Sequence, residues 1–216
     1  MNVSTLSEGL GVIAGYLGLD ADALNAYAAE DTYGGFDFDL NNRRFDIGSI
    51  FGVEGQVLYA LTRVLNPPEV VELGTMHGCG ATHLLAALEA NGKKTARLTS
   101  VDDNTNGVVL GHAIPDALRP RWKLVESSAA PYLTERKDNS LLLIFEDIDH
   151  SAERTAEIWV LAQAKLKSGG ILISHDAEHS LVGAAVREGI ARSGITDYLK
   201  VTIAPSDCGL AIWKKP

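Results

Sequence analysis

Val70-Val71-Glu72-Leu73-Gly74-Thr75-Met76-His77-Gly78-Cys79-Gly80 is the stretch on which the fold turns. Residues 70–73 form a short apolar, β-branched run. Gly74 turns it, and Gly78 and Gly80 lead into a helical pattern over 82–90. A strand passing through a glycine turn into a helix is the opening of a βαβ unit. Glycine suits such a turn because positive φ costs it nothing and its bare backbone lets a ligand come close.

Outward from this stretch the alternation repeats. Residues 98–101, 123–125, 141–145 and 171–174 read as strands buried in a parallel sheet. They are followed by helical patterns over 108–118, 129–136, 152–167 and 181–191. Right-handed crossovers between such units predict an α/β protein with a doubly wound, Rossmann-like sheet. Residues 198–203 and 210–214 flank Pro205-Ser206-Asp207 with no room for a helix, so they predict a C-terminal antiparallel hairpin. The expected sheet is mostly parallel and seven-stranded.

Upstream, residues 6–17, 21–29 and 55–65 read as helices. Tyr33-Gly34-Gly35-Phe36-Asp37-Phe38-Asp39 lies between the last two, and it reads equally as a cover for a pocket or as a packed arm or dimer contact. The expected division is an N-terminal helical lid or arm over 1–54 and a ligand-binding domain over 55–216. At 216 residues the chain suits one sizeable core.

Glu72 chooses among ligands for the glycine turn. A carboxylate there repels a pyrophosphate, whereas S-adenosylmethionine has no phosphate and carries an ammonium and a sulfonium. That nucleoside is therefore expected in preference to NAD. Asp102 and Asp103 end the second strand, at the interval where an acid accepts hydrogen bonds from a ribose diol; an acidic turn capping a following helix is the other reading. Ser127 and Ser128 end the third strand, where their oxygens either reach an adenine amino group or cap the helix beginning near Ala129.

Four further residues fall at later strand ends, where open α/β sheets bind ligands: Asp147, His150, His175 and Asp176. Asp147 and Asp176 offer hard oxygen ligands for Mg²⁺, and a nitrogen from His175 shifts the preference toward Mn²⁺, Fe²⁺ or Zn²⁺. The competing reading makes Asp147 a cap for the helix at Ala152, and His175 and Asp176 the start of a polar loop. His150 has the ordinary pKa for taking a proton near neutral pH, but a lone histidine is as often structural. His83, His112 and His179 are expected on the surface or on a helix face.

Taken together, these residues resemble the class I S-adenosylmethionine-dependent methyltransferases. Leu143-Ile144-Phe145-Glu146-Asp147-Ile148-Asp149-His150-Ser151 and Gly169-Gly170-Ile171-Leu172-Ile173-Ser174-His175-Asp176 are similar to the small bacterial family grouped with cephalosporin-type and sugar O-methyltransferases. They are more distantly similar to catechol and caffeoyl-coenzyme A O-methyltransferases. The resemblance runs from about Gly55 to the C-terminus. It implies that Glu72 holds the methionine ammonium and that Gly74 and Gly78 shape the loop, with Thr75 and Gly80 also at the cofactor. It also implies that Asp102 binds the ribose, that Asp147, His175 and Asp176 take a divalent metal, and that His150 stands where the catechol enzymes place a lysine base. Gly80 stands where many relatives carry a serine.

The implied activity is methyl transfer to a hydroxyl of a small molecule. Two other functions remain open: a protein of this fold that binds the cofactor without methylating, and a nicotinamide-dependent reductase. Against the reductase, none of the tyrosines has a lysine four positions later. A net charge of −9, with the basic residues scattered along the chain, argues against nucleic acid as a partner. No apolar run spans a bilayer, the first residues lack a signal peptide's pattern, and two unpaired cysteines suit a reducing compartment. A cytoplasmic protein is expected, with a homo-oligomer possible.

Overall fold

The computed structural model describes residues 1–34, 50, 52–105 and 107–216. In chain order the strands are β1 (Asn2–Val3), β2 (Glu69–Leu73), β3 (Arg97–Asp102), β4 (Trp122–Glu126), β5 (Leu141–Glu146), β6 (Leu166–Ser174), β7 (Leu199–Ile203) and β8 (Leu210–Lys214). The helices are α1 (Leu6–Leu17), α2 (Ala21–Glu30), α3 (Gly52–Leu65), α4 (Cys79–Ala90), α5 (Ala129–Glu135), α6 (Ala152–Lys165) and α7 (Gly183–Arg192). One sheet runs β1-β7-β8-β6-β5-β2-β3-β4, parallel except where β8 pairs with β6 and β7. The α/β doubly wound class is as expected. Asn2–Val3 adds an eighth strand, pairing with Thr202 and Ile203, and is too short to show a periodicity in sequence.

Local chemistry sets the helix ends. Thr5 and Glu8 form a capping box at the start of α1, and Gly18 ends it in the left-handed conformation. Asp20 caps α2 and Ser151 caps α6. Two apolar layers sandwich the sheet. On one face Leu10, Ile13 and Leu17 of α1 join Leu58 and Leu61 of α3 and Leu84 and Leu88 of α4 against Val70, Leu98 and Phe145. On the other, Ile158 and Trp159 of α6 and Val186 and Ile190 of α7 cover Val71, Leu73, Ile144 and Leu172.

One expected helix is absent. Residues 108–118 form turns that end in a short 3₁₀ segment, Arg119–Arg121. Their amides are used elsewhere: Gly111 N donates to Met76 O at 2.8 Å and Ala113 N to His77 O at 2.9 Å. Two of the segment's donors thus go to the glycine turn, while Ile114 N and Leu118 N close only local turns on Gly111 O and Pro115 O.

Candidate active site

The strand order reverses at β2, with β3 and β4 laid to one side and β5 and β6 to the other. In an open parallel sheet the crevice at such a switch point, beyond the carboxyl ends of the strands, is where ligands sit. Backbone hydrogen bonds lock these ends in line. Gly74 N donates to Val101 O and Asp147 N to Leu73 O, both at 2.8 Å, and His175 N donates to Glu146 O at 3.0 Å. Gly74, Asp147 and His175 thus step across three neighbouring strand ends.

The glycine turn needs its glycines. Gly74 has φ of +83°, and a Cβ on it would lie 2.1 Å from the carbonyl oxygen of Asp147. Gly78 has φ of +91°, and its Cβ would lie 2.9 Å from Gly111 Cα. Asp102 braces the turn: Oδ2 accepts from the amides of Thr75 and Met76, both at 2.9 Å, and Oδ1 accepts from Asn104 N at 2.7 Å. The residue expected at a ribose holds the loop, and among the described residues no helix follows it to cap. Ser128 occupies the N-cap position of α5, yet its hydroxyl makes no capping bond and donates to Asp103 Oδ2 at 3.2 Å. Ser127 Oγ turns to Ser128 O at 3.2 Å.

Glu72 lies deeper than expected. It is 1% exposed, and Oε1 sits 3.0 Å from where a Cβ of Gly80 would be. Ser100 Oγ donates to Oε2 at 2.5 Å and accepts from Trp122 Nε1 at 2.9 Å. Burial pushes the carboxyl up to about 8; the Ser100 bond opposes this, while Asp147 and Asp102 add to it. The expected anionic guard of the turn is, in this conformation, an interior acid beneath the start of α4. A matching chain lies on the opposite face of the sheet. Trp159 Nε1 donates to Ser174 Oγ at 2.7 Å, and Ser174 Oγ donates to Glu146. Burial raises the Glu146 carboxyl, against its Ser174 bond and the nearby His150.

Asp147, His150, His175 and Asp176 do converge. His150 Nε2 lies 2.8 Å from Asp176 Oδ2 and 3.7 Å from Asp147 Oδ1. His175 Nδ1 lies 3.3 Å from Asp147 Oδ1 and 3.4 Å from Asp176 Oδ1. Asp147 is not a helix cap, because Ser151 Oγ takes that bond from Arg154 N at 3.3 Å. Asp176 adopts φ of +60°, a conformation a non-glycine residue rarely takes unless its surroundings impose it.

The charges pair off. Burial works against the carboxylate of Asp176, but hydrogen bonds from His150 and His175 hold it well below the usual range. Burial likewise disfavours charge on His150, and its bond to Asp176 with Asp147 nearby raises it above its ordinary value. For His175 burial is again opposed, here by the charges of Glu54 and Asp147, which raise it well above its ordinary value.

Sequence reasoning missed three members of this cluster. Glu54, 1% exposed, reaches from α3 so that Oε2 meets His175 Nε2 at 2.9 Å, and Oε1 accepts from Ser206 Oγ at 2.7 Å. Cys208 lies close by, its thiol pushed well above the usual range by burial. A signal for Glu54 existed, since it shares one helical stripe with Val57, Leu58 and Leu61, all buried, where a carboxylate is out of place. Ser206 and Cys208 in the hairpin turn had none.

Asp147, His150 and Asp176 bring two oxygens and a nitrogen within 4.8 Å of one another, and His175, Asp176 and Cys208 form a second such group. Carboxylate and imidazole donors on adjacent strand ends fit a divalent cation of the Mg²⁺, Mn²⁺ or Fe²⁺ type.

The other histidines divide. His77 packs edge-on against His112, their ring centroids 4.9 Å apart. His83, expected at the surface or on a helix face, lies on the buried face of α4, with Nδ1 2.6 Å from Asp31 Oδ2. Gly35 to Asp39 of the expected lid, and Phe51, lie outside the described residues. Glu69, Arg97, Lys123 and Arg136 line a groove of about 370 Å³ at the opposite ends of the strands, away from this site. Among the described residues no helix is long and apolar enough to cross a membrane.

Residues 71–177 match the model of a methyltransferase domain family. No curated protein matches the sequence. Several solved structures share the fold. An O-methyltransferase from Bacillus cereus, solved in complex with S-adenosylhomocysteine, superposes with a TM-score of 0.63 at 14% identity, over 92% of this chain and 89% of its own. A methyltransferase from Geobacter sulfurreducens gives 0.61 at 19% identity, over 95% and 96%. The O-methyltransferase TomG from Streptomyces achromogenes, involved in tomaymycin synthesis and solved with S-adenosylmethionine, gives 0.58 at 15% identity, over 90% of each.

Proposed function

We propose that this chain, which belongs to the class I S-adenosylmethionine-dependent methyltransferases, transfers the cofactor's methyl group to a hydroxyl oxygen of a small molecule. The observation that carries the reading is the contact between the two halves of the site. The glycine turn at Gly74 leaves no room for a methyl group against the backbone of Asp147. A cofactor laid on that turn is held directly beside the Asp147, His150, His175 and Asp176 cluster. The O-methyltransferases among the structural neighbours support oxygen as the acceptor atom.

Each residue then has a task. Gly74, Thr75, Gly78 and Gly80 form the bed for the methionine portion, with Glu72 beneath to receive its ammonium. Asp102 and Asp103 face the ribose, and Ser127 and Ser128 the adenine. Methyl transfer is a direct displacement: an oxygen lone pair forms the new C–O bond while the C–S electrons leave with sulfur, and the hydroxyl proton must go to a base.

His150 is that base. Asp176 engages its Nε2 at 2.8 Å, and Nδ1 has no hydrogen-bond partner among the described residues. A carboxylate on one imidazole nitrogen fixes the ring, and the other nitrogen, buried in this conformation, takes the proton once the acceptor is seated against it. Asp147, Asp176 and His175 would hold a divalent cation, which would polarise the acceptor oxygen and lower its pKa.

Calorimetry with S-adenosylmethionine, with and without Mn²⁺ or Mg²⁺, tests both parts. Binding is expected, as is separate uptake of the metal; failure to bind the nucleoside removes the reading. His150→Ala is expected to lower turnover about 10²–10⁴-fold at nearly unchanged cofactor affinity, because the base touches acceptor and not donor. Unchanged turnover would take His150 out of the mechanism.

A further inference from the structure

The imidazole of His175 is gripped from both sides, and the grip on its far side comes from Glu54 on α3. Nδ1 faces the Asp147 and Asp176 oxygens at 3.3 and 3.4 Å, while Nε2 faces Glu54 Oε2 at 2.9 Å. The shorter and more directed of these contacts is the one to Glu54.

We propose that Glu54 is the positioning residue of this site: it accepts the Nε2–H of His175, fixes the ring's orientation, and thereby makes Nδ1 the nitrogen offered to a divalent cation. The inference deepens the metal reading given above and rests on it for the identity of what Nδ1 meets. The contact to Glu54 stands on geometry alone.

Three features argue that the arrangement is built rather than incidental. Glu54 sits in α3, 121 residues away in the chain, and its carboxylate is 1% exposed. A carboxylate taken from water so completely persists only where hydrogen bonds satisfy it. The second oxygen is satisfied by Ser206 Oγ at 2.7 Å, and Ser206 Oγ in turn accepts the Cys208 amide at 3.0 Å, so the β7–β8 turn buttresses the helix. The His175 backbone cannot drift either, since its amide is bonded to Glu146 O at 3.0 Å. With main chain and Nε2 both anchored, ring rotation is fixed.

The chemistry follows from imidazole itself. Neutral imidazole has one N–H and one lone pair, and a carboxylate accepts only the N–H. With Nε2–H held by Glu54, the proton that Asp147 and Asp176 draw onto Nδ1 in the metal-free ring is the one a cation would displace, and the lone pair so freed points between those two carboxylates. A carboxylate behind a ligating histidine also raises the ligand's basicity, and losing such a partner costs metal affinity about 10- to 100-fold.

The test uses the full chain. Mn²⁺ affinity is measured by calorimetry for wild type, Glu54→Gln, Glu54→Ala and Ser206→Ala, and the His175 ring is read by ¹⁵N–¹H NMR with and without Zn²⁺. Glu54→Ala is expected to weaken Mn²⁺ binding about 10- to 100-fold. Glu54→Gln, whose amide oxygen still accepts the N–H, should recover most of that loss. In wild type Nε2 should be protonated and Nδ1 bound to Zn²⁺; in Glu54→Ala the protected Nε2–H signal should vanish. Metal bound through Nε2 in wild type, or unchanged affinity and ring signals in Glu54→Ala, overturns the proposal. If Glu54→Ala does not fold, the wild-type ring signals and Ser206→Ala decide, the latter by a smaller weakening in the same direction. Absence of Mn²⁺ binding to wild type removes the metal reading alone, and the Nε2–H signal, present or lost with Glu54, still decides the orientation.

Discussion

Glu72 shows how far a single side chain departs from what its place in a motif suggests. Its carboxyl stands at about 8 because it is buried, against an ordinary value of 4.5. Between those values the folded chain keeps a proton that the unfolded chain has lost. Stability from this group is thus complete below the ordinary value and declines as pH rises through the folded one. Glu72→Gln, neutral throughout, is expected to stabilise the free protein by about 1–3 kcal/mol at pH 7.5 in denaturant melts, and to flatten their pH dependence. Cofactor binding reverses the preference, since an ammonium favours the anion. Calorimetry in buffers of different ionisation enthalpy should show proton release on binding near neutral pH, and none in Glu72→Gln. No release in wild type would separate Glu72 from the ammonium. The motif's residues were readable because strand-end chemistry has a fixed spacing from the glycines. The partner of Glu72 was not, because Ser100 lies 28 residues away and only the β2–β3 register brings it opposite.

At the scale of elements, the alternation of strand and helix carried nearly all the architecture, and the failures were those of segments bonded to something other than themselves. Residues 108–118 have the composition of a helix, but Gly111 and Ala113 give their amides to the glycine turn. Asn2–Val3 is a strand only because β7 is beside it. The turn itself is the element most exposed to mutation. Gly74→Ala places a methyl group 2.1 Å from a backbone oxygen at φ of +83°, so β2 and β5 must part. Gly92→Ala has similar φ, +72°, and open space around it. Chemical denaturation should show Gly92→Ala costing about 1 kcal/mol and Gly74→Ala clearly more, with loss of cofactor binding in the second only. Equal costs would mean the crowding at Gly74 relaxes freely.

For the molecule as a whole, the N-terminal helices share one apolar layer with α3, α4 and the sheet. Leu10 and Leu17 of α1 are fully or almost fully buried in it, together with Leu84 and Phe145. Leu10→Ala is therefore expected to cost the entire chain about 2–5 kcal/mol, with one cooperative transition by circular dichroism. A separate early transition of the first helices would show them to be a detachable arm.

The two indole–serine–carboxyl chains, Trp122 through Ser100 to Glu72 and Trp159 through Ser174 to Glu146, bear on how such a protein can be watched. An indole's emission responds to the charge and hydrogen bonding around its ring. Trp122 is two hydrogen bonds from the acid under the glycine turn, so its share of the emission is expected to follow that proton without an added dye.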